Sequence, residues 1–301
     1  MEKDFYKYQD YLAISTAFND TVRIYVAKTK DILNDASNNK DLYQTSKAAL
    51  GRSLTATLIM GAMLKGDQTI ATKIDGGGPI GKIVCEADTY GHVMGYVENE
   101  GVYLKYNDGH LAVGLGVGTD GYLTVTKDLH LKELFTSSVP LVSGEIAEDY
   151  TYYFAVSEQI PSSVSLGVLV GLNNEVLAAG GFIVQIMPGC LDETIDIIEQ
   201  NVKKIKPISE LMLGNESPRN IMKMIVGEGE KINMQKMMPV SFKCRCSKEN
   251  FAKGIKSLGF DSINKMYQED KQIEAVCQYC GTKYIFDEKD LQQLLKETKK
   301  S

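Results

Sequence analysis

Four cysteines near the C-terminus constrain this chain more than any other feature. They fall as Cys244-Arg245-Cys246 and Cys277-Gln278-Tyr279-Cys280, with residues 247–276 between the pairs. Four thiolates match the tetrahedral sulfur coordination that Zn²⁺ favours. A Cys-X-X-Cys turn followed by Gly281 aims two sulfurs at one point. The first pair has one intervening residue, where common zinc modules have two to four. Alternate side chains of a regular strand point to opposite faces, so Cys244 and Cys246 need a local distortion to converge. Residues 241–301 are too few to bury much core, and a metal would supply the missing stability. Zinc-held sulfurs are thiolates, the reactive form, and oxidation carries thiolates through sulfenic acid to disulfides. Neighbour pairing is the simplest outcome of that oxidation. The residues alone leave two readings open, a permanent structural zinc and a redox switch.

The rest of the composition narrows the setting. With 301 residues, 44% hydrophobic and 24% charged, the chain has the make-up of a soluble globular protein of about two domains. A net charge of −6 argues against a phosphate backbone as the main partner. Residues 241–301 carry 12 Lys+Arg and 9 Asp+Glu, which is close to neutral once four thiolates and one Zn²⁺ are counted. Residues 1–10 lack the basic start and apolar run of a signal peptide, and no stretch reaches the ~18 apolar residues of a membrane span. A cytoplasmic location is expected, where thiols stay reduced. Cys85 and Cys190 read as ordinary semi-buried thiols.

Along the chain, residues 11–27 read as a strand or hairpin, and 29–41 as loop-like or weakly helical. Residues 44–65 are rich in Ala and Leu and predict a largely buried helix, with Gly51 and Gly61 permitting close packing. Residues 69–128 read as strands and turns. Asp75-Gly76-Gly77-Gly78-Pro79 is a turn and no phosphate loop, because no Lys-Ser/Thr follows it. Gly114-Leu115-Gly116-Val117-Gly118 opens no obvious helix and fails the context of a dinucleotide site. Residues 143–160 start as a helix that Ser143 could cap. Residues 164–172 and 176–185 form a hairpin. Leu191, Ile195, Ile198, Val202 and Ile205 line one face of an amphipathic helix. Ser217-Pro218 opens another.

Met212, Met222, Met224, Met234, Met237 and Met238 are half of the chain's 12 methionines. Methionine is flexible and recurs on surfaces that accept varied partners. The stretch reads either as an adaptable binding surface or as a linker packed on the first domain. After Pro239, helices are expected over 248–258 (capped by Ser247), 261–267 and 287–296, around a hairpin of 273–277 and 282–286. The fold expected is α+β, in three parts. A mixed α/β core domain of sheet and helix covers 1–187, a helical Met-rich linker 188–240, and a small four-cysteine zinc domain 241–301.

The cysteine motif, its spacing, Gly281, and the segments around Gly144-Glu145-Ile146-Ala147-Glu148-Asp149-Tyr150, Ser157-Glu158-Gln159-Ile160-Pro161, Asp75-Gly76-Gly77-Gly78-Pro79 and Gly180-Gly181-Phe182 resemble the redox-regulated holdase chaperones of the 33-kilodalton heat-shock class. The resemblance spans essentially the whole chain. It implies a cytoplasmic bacterial protein that holds one zinc through Cys244, Cys246, Cys277 and Cys280 and is inactive when reduced. Oxidation would release zinc, form the disulfides Cys244–Cys246 and Cys277–Cys280, and unfold the zinc domain and linker. The exposed apolar surface would bind unfolding client proteins without ATP, typically in a homodimer. No enzyme activity and no nucleotide, nucleic-acid or membrane partner is expected. A zinc-ribbon nucleic-acid binder and a thiol–disulfide oxidoreductase are the alternatives. The near-neutral C-terminal charge and the missing strand–helix alternation around Cys277 and Cys280 speak against them.

Overall fold

The computed structural model describes residue 7 and residues 9–299. Most of the charged N-terminal stretch read above as lacking a signal lies outside the described residues. The chain divides into two compact units, Met1–Lys243 and Cys244–Ser301.

The first unit is built on two sheets, antiparallel except where Ser241–Phe242 runs parallel to His92–Val93, with helices packed against both. Strands β1 (Tyr11–Ala17) and β2 (Val22–Lys28) form the expected hairpin. Helix α1 (Lys30–Ser37) follows, then α2 (Gln44–Gly61). Strands β3 (Thr69–Asp75), β4 (Ile83–Asp88) and β5 (His92–Val97) lead to the short helix α3 (Val113–Val117). Then come β6 (Tyr122–Asp128), β7 (Phe135–Pro140), α4 (Ala147–Tyr153) and a π-helical turn, Phe154–Glu158. The hairpin of β8 (Ser162–Val170) and β9 (Val176–Ile186) precedes helices α5 (Asp192–Val202), α6 (Ile208–Leu213) and α7 (Pro218–Val226). Strands β10 (Asn233–Pro239) and β11 (Ser241–Phe242) end the unit. One sheet has the order β10-β1-β2-β9-β8, and the other β11-β5-β4-β3-β6-β7.

Helix α2 packs against strands of both sheets, including β4 and β8. A helix covered all round must satisfy its hydroxyls internally. Ser53, Thr55 and Thr57 each donate to the carbonyl four residues back. Gly51 lets Leu33 and Val168 approach: a Cβ there would lie 2.6 Å from Leu33 Cδ2.

The two glycine stretches meet each other. Gly78 N donates to Val117 O and Ile80 N to Gly116 O, each at 2.9 Å. A Cβ on Gly118 would lie 2.3 Å from Gly76 O, so these glycines permit backbone-on-backbone packing. Gly114, Leu115, Gly116 and Val117 do lie in a helix, the short α3, where no obvious one was expected.

Three other local expectations change. Ser143 does not cap α4. Asp149, buried inside the helix, accepts from the amides of Ile146 at 2.9 Å and Val142 at 2.7 Å, so the acid ties the loop to the helix from within. The strand β7 has no strong apolar alternation (only Val139 is buried), and the pattern gave it no signal. The Met-rich segment is helical through α7, but its end is the strand β10 paired with β1.

A second core lies on the other face of the five-stranded sheet. Ile198, Ile208, Leu211, Met212, Ile221, Met222 and Ile225 of α5, α6 and α7 cover Ile24, Val26, Phe182 and Val184 there. Ser217 caps α7 by accepting from Asn220 N at 3.1 Å, as the Ser-Pro pair predicts.

The second unit comprises α8 (Lys248–Ser257), α9 (Phe260–Glu269), the hairpin of β12 (Ile273–Val276) and β13 (Lys283–Phe286), and α10 (Glu288–Thr298). All five elements were expected from the sequence. Its buried core is Ile255, Ile263, Phe286, Leu291 and Leu294.

Candidate metal centre

The hairpin and the N-terminus of α8 assemble the cluster. Gly281 has φ +70°, a conformation glycine adopts without strain. Its amide donates to Cys277 O at 2.8 Å, and Cys277 N donates to Thr282 O at 2.9 Å. The Cys277–Cys280 turn is thus closed from both sides. Cys244, Arg245 and Cys246 lie in irregular backbone, which provides the distortion their spacing requires. Ser247 Oγ accepts from Asn250 N at 3.2 Å, and Asn250 Nδ2 donates to Arg245 O at 3.2 Å. The cap that starts α8 therefore also fixes the first cysteine pair.

All four Sγ atoms lie within 4.8 Å of one another. Cys244 Sγ is 3.6 Å from Cys277 Sγ, and Cys246 Sγ is 3.4 Å from Cys280 Sγ. Around an ion with ~2.3 Å metal–sulfur bonds, the edge of a tetrahedron is roughly 3.8 Å. No disulfide joins the four sulfurs, and the cluster could hold a metal ion. Cys277 is buried and the other three are half-buried.

The surroundings act differently on each thiol. Burial pushes the thiols of Cys244 and Cys246 up. Burial also opposes ionisation of Cys280, but hydrogen bonds from Thr282 and the neighbouring thiols outweigh it and bring Cys280 down to about 7. Thr282 Oγ1 lies 3.1 Å from Cys280 Sγ, and Tyr284 Oη 3.2 Å from Cys246 Sγ. The hydrogen bond to Cys246 pushes Tyr284 up to about 12. Sequence reasoning missed both Thr282 and Tyr284. The signal was the alternation of β13, where Tyr284 and Phe286 share the inward face while Lys283 and Ile285 are exposed.

The other singled-out residues belong to the first unit. Cys85 is fully buried in the core, and Cys190 is half-buried. Met212 and Met222 are buried, Met234, Met237 and Met238 are half-buried, and Met224 is exposed. As folded here they are core and sheet-edge residues, not one open surface. Among the described residues, no helix is long and apolar enough to cross a membrane.

The family profile described as "Hsp33 protein" matches residues 10–287. The chain is 48% identical over 290 residues to the 33 kDa chaperonin of Bacillus subtilis, covering 96% of this chain and 99% of the relative. It is 47% identical over 287 residues to the 33 kDa chaperonin of Oceanobacillus iheyensis, covering 95% and 99%. The crystal structure of the 33 kDa chaperonin (heat shock protein 33 homolog) from Thermotoga maritima superposes with a TM-score of 0.91 at 35% identity. That match covers 98% of this chain and all of the other. The chain belongs to the Hsp33 family.

Proposed function

We propose that this protein is a redox-regulated, ATP-independent holdase that keeps unfolding and oxidatively damaged client proteins from aggregating. The observation that carries the proposal is four cysteine sulfurs, none in a disulfide, gathered within 4.8 Å in a unit whose buried core is five side chains. The relatives' name, 33 kDa chaperonin, supports the chaperone part. No covalent catalysis is assigned to it, and no nucleotide, nucleic acid or membrane is assigned as a partner.

In the reduced cytoplasm Cys244, Cys246, Cys277 and Cys280 are proposed to hold one Zn²⁺. When bound, zinc supplies stabilisation of the thiolates and a cross-link between the two halves of the unit; in small finger peptides this is worth about 10–16 kcal/mol. The Ser247 cap and the Gly281 turn hold the sulfurs in place for it. A peroxide takes two electrons from each thiolate pair: one S–S bond forms, the O–O bond breaks, and two waters leave after proton uptake. The pairs proposed are Cys244–Cys246 and Cys277–Cys280. Every thiol pair is within 4.8 Å, so local motion suffices for either pairing. Disulfides leave no thiolates to bind a metal, and a five-residue core does not hold the fold alone.

Three working parts follow: a core domain over 1–187, a linker over 188–240 and a switch domain over 241–301. The linker is proposed to leave the five-stranded sheet on activation. Its departure would free Met212 and Met222, and with Met224, Met234, Met237 and Met238 they would offer an adaptable apolar surface to clients. The activated form is proposed to be a homodimer.

The test is an aggregation assay with a thermally unfolding client, following metal release and thiol count on addition of peroxide. Suppression of aggregation should rise at least roughly tenfold as two thiol pairs and one Zn²⁺ are lost, and fall again on reduction with zinc present. Equal protection before and after oxidation would defeat the switch.

A further inference from the structure

Methionine side chains pack strand β10 against the two cores of the first unit. Met234, Met237 and Met238 are its half-buried residues, while Asn233, Gln235, Lys236 and Pro239 are exposed. Met234 and Met237 pack into the core under α5, α6 and α7. Met238 packs into the core between the two sheets. Its methyl sits on the β4–β5 turn, where a Cβ on Gly91 would come within 2.7 Å of Met238 Cε. The strand pairs with β1 from Tyr11↔Pro239 to Thr16↔Asn233, and Gln235 Nε2 donates to Thr16 Oγ1 at 3.2 Å. It lies at the sheet edge with β1 as its neighbour, and a bulge interrupts that pairing between Ile14 and Ser15.

We propose that Met234, Met237 and Met238 form an oxidant-sensitive latch, and that their conversion to methionine sulfoxide releases β10 from β1. The oxidant is a peroxide. The thioether lone pair attacks one peroxide oxygen, the S–O bond forms and the O–O bond breaks. The departing hydroxide takes a proton and leaves as water; sulfur loses two electrons and the peroxide gains them. A sulfoxide is polar and needs a hydrogen-bond donor. The side chains opposite Met237 and Met238 are Ala13 and Leu12, which have none. Opposite Met234 is Ser15, whose hydroxyl already donates to Met222 Sδ at 3.2 Å. The side chains paired with these methionines across β1 thus offer no spare donor, and lifting the strand would give the new oxygens to water. β10 is followed by β11 and then Cys244, so release loosens the chain leading to the cysteine cluster. The latch stands on first-unit contacts alone and does not require the metal reading.

The full chain is treated with hydrogen peroxide and then with dithiothreitol, which restores thiols and leaves sulfoxides. Peptide mass spectrometry and hydrogen exchange follow. Met234, Met237 and Met238 should gain oxygen at least ~10-fold faster than buried Met212 and Met222, as expected from access. Amides of 233–239 should then exchange roughly tenfold faster or more, and methionine sulfoxide reductases should restore their protection. The Met234→Leu/Met237→Leu/Met238→Leu variant should keep protection through the same treatment. The reductase arm uses the unmutated chain and decides the matter if that variant fails to fold. Equal oxidation rates, or protection in 233–239 that survives complete sulfoxide formation, overturn the proposal.

Discussion

Leu50 in the first unit and Ile263 in the second are both fully buried, yet their surroundings differ. Leu50 sits on a helix enclosed between sheets, in a core that draws on nearly every element from β1 to β9. Ile263 belongs to a cluster of five buried side chains in the unit that also carries the four cysteines. The first unit is held by a continuous apolar interior. The second has a small interior for its length, and on the function proposed above a metal held by the cysteine cluster would supply the rest of its stability. A fold so held would be one that a small chemical change can remove. The comparison also teaches why the two could respond independently to one oxidant.

The largest effect expected from that difference is metal loss. Chelation of the reduced protein, or Cys277→Ser, should unfold residues 244–299 and leave the first unit's strands protected, a change on the order of 10 kcal/mol confined to one unit. Hydrogen exchange resolves the two units. Full-affinity zinc binding by Cys277→Ser would remove that residue from the ligand set.

A smaller effect separates the two cores. Leu50→Ala and Ile263→Ala should each cost about 2–5 kcal/mol. Where binding and folding are one event, that loss appears in metal affinity. Ile263→Ala should therefore weaken zinc binding by roughly 30-fold or more, and Leu50→Ala should leave it unchanged while lowering the first unit's unfolding midpoint. Equal zinc affinity in both variants would show that the second unit folds without its metal.

Much of this was legible in the sequence. The second unit's elements follow from Ser247, the Cys-X-X-Cys-Gly turn and the helical spacing of its few apolar residues. Residues 44–65 were readable as a largely buried helix from their length and their Ala and Leu content, and the helix ends at Gly61. What was not legible depended on tertiary pairing. Residues 233–239 carry charge and methionine in no strand-like alternation, and only β1 makes them a strand. Asp149 looks like an ordinary first-turn acid, but burial makes it the anchor of the 142–146 loop. At the site, cysteine spacing identified the sulfurs, whereas Tyr284 and Thr282 required the hairpin register.

Asp10 tests the first unit by pH. Its Oδ2 accepts from Ile32 N at 2.8 Å in the first turn of α1. Burial pushes its carboxyl from 3.8 up to about 7. A carboxyl raised on folding binds its proton more tightly in the native state. The stability it contributes is present at low pH and lost as pH rises from about 4 through about 7. Asp10→Asn should remove that slope, changing the pH dependence by about 1–3 kcal/mol between pH 5 and 8. Zinc affinity at fixed pH should stay the same. Denaturation curves at several pH values check this, and a parallel slope in the variant would place the titrating group elsewhere.

The smallest effect concerns the second unit's surface. Lys248 Nζ lies 2.6 Å from Asp290 Oδ2, with both side chains partly exposed. Screening limits such a pair to about 1 kcal/mol or less. Lys248→Ala should thus shift zinc affinity by no more than about fivefold. A larger loss would mean that surface charge, and not the cysteine cluster, holds the unit.

Hydrogen exchange across the whole zinc-loaded chain, before and after titration with just enough peroxide to oxidise four thiols, decides whether the second unit is held by its metal. Protection should collapse over 244–299 in step with zinc release, while α2 and the β2–β9 pairing keep theirs. Protection in 244–299 that outlasts both zinc release and disulfide formation would contradict it.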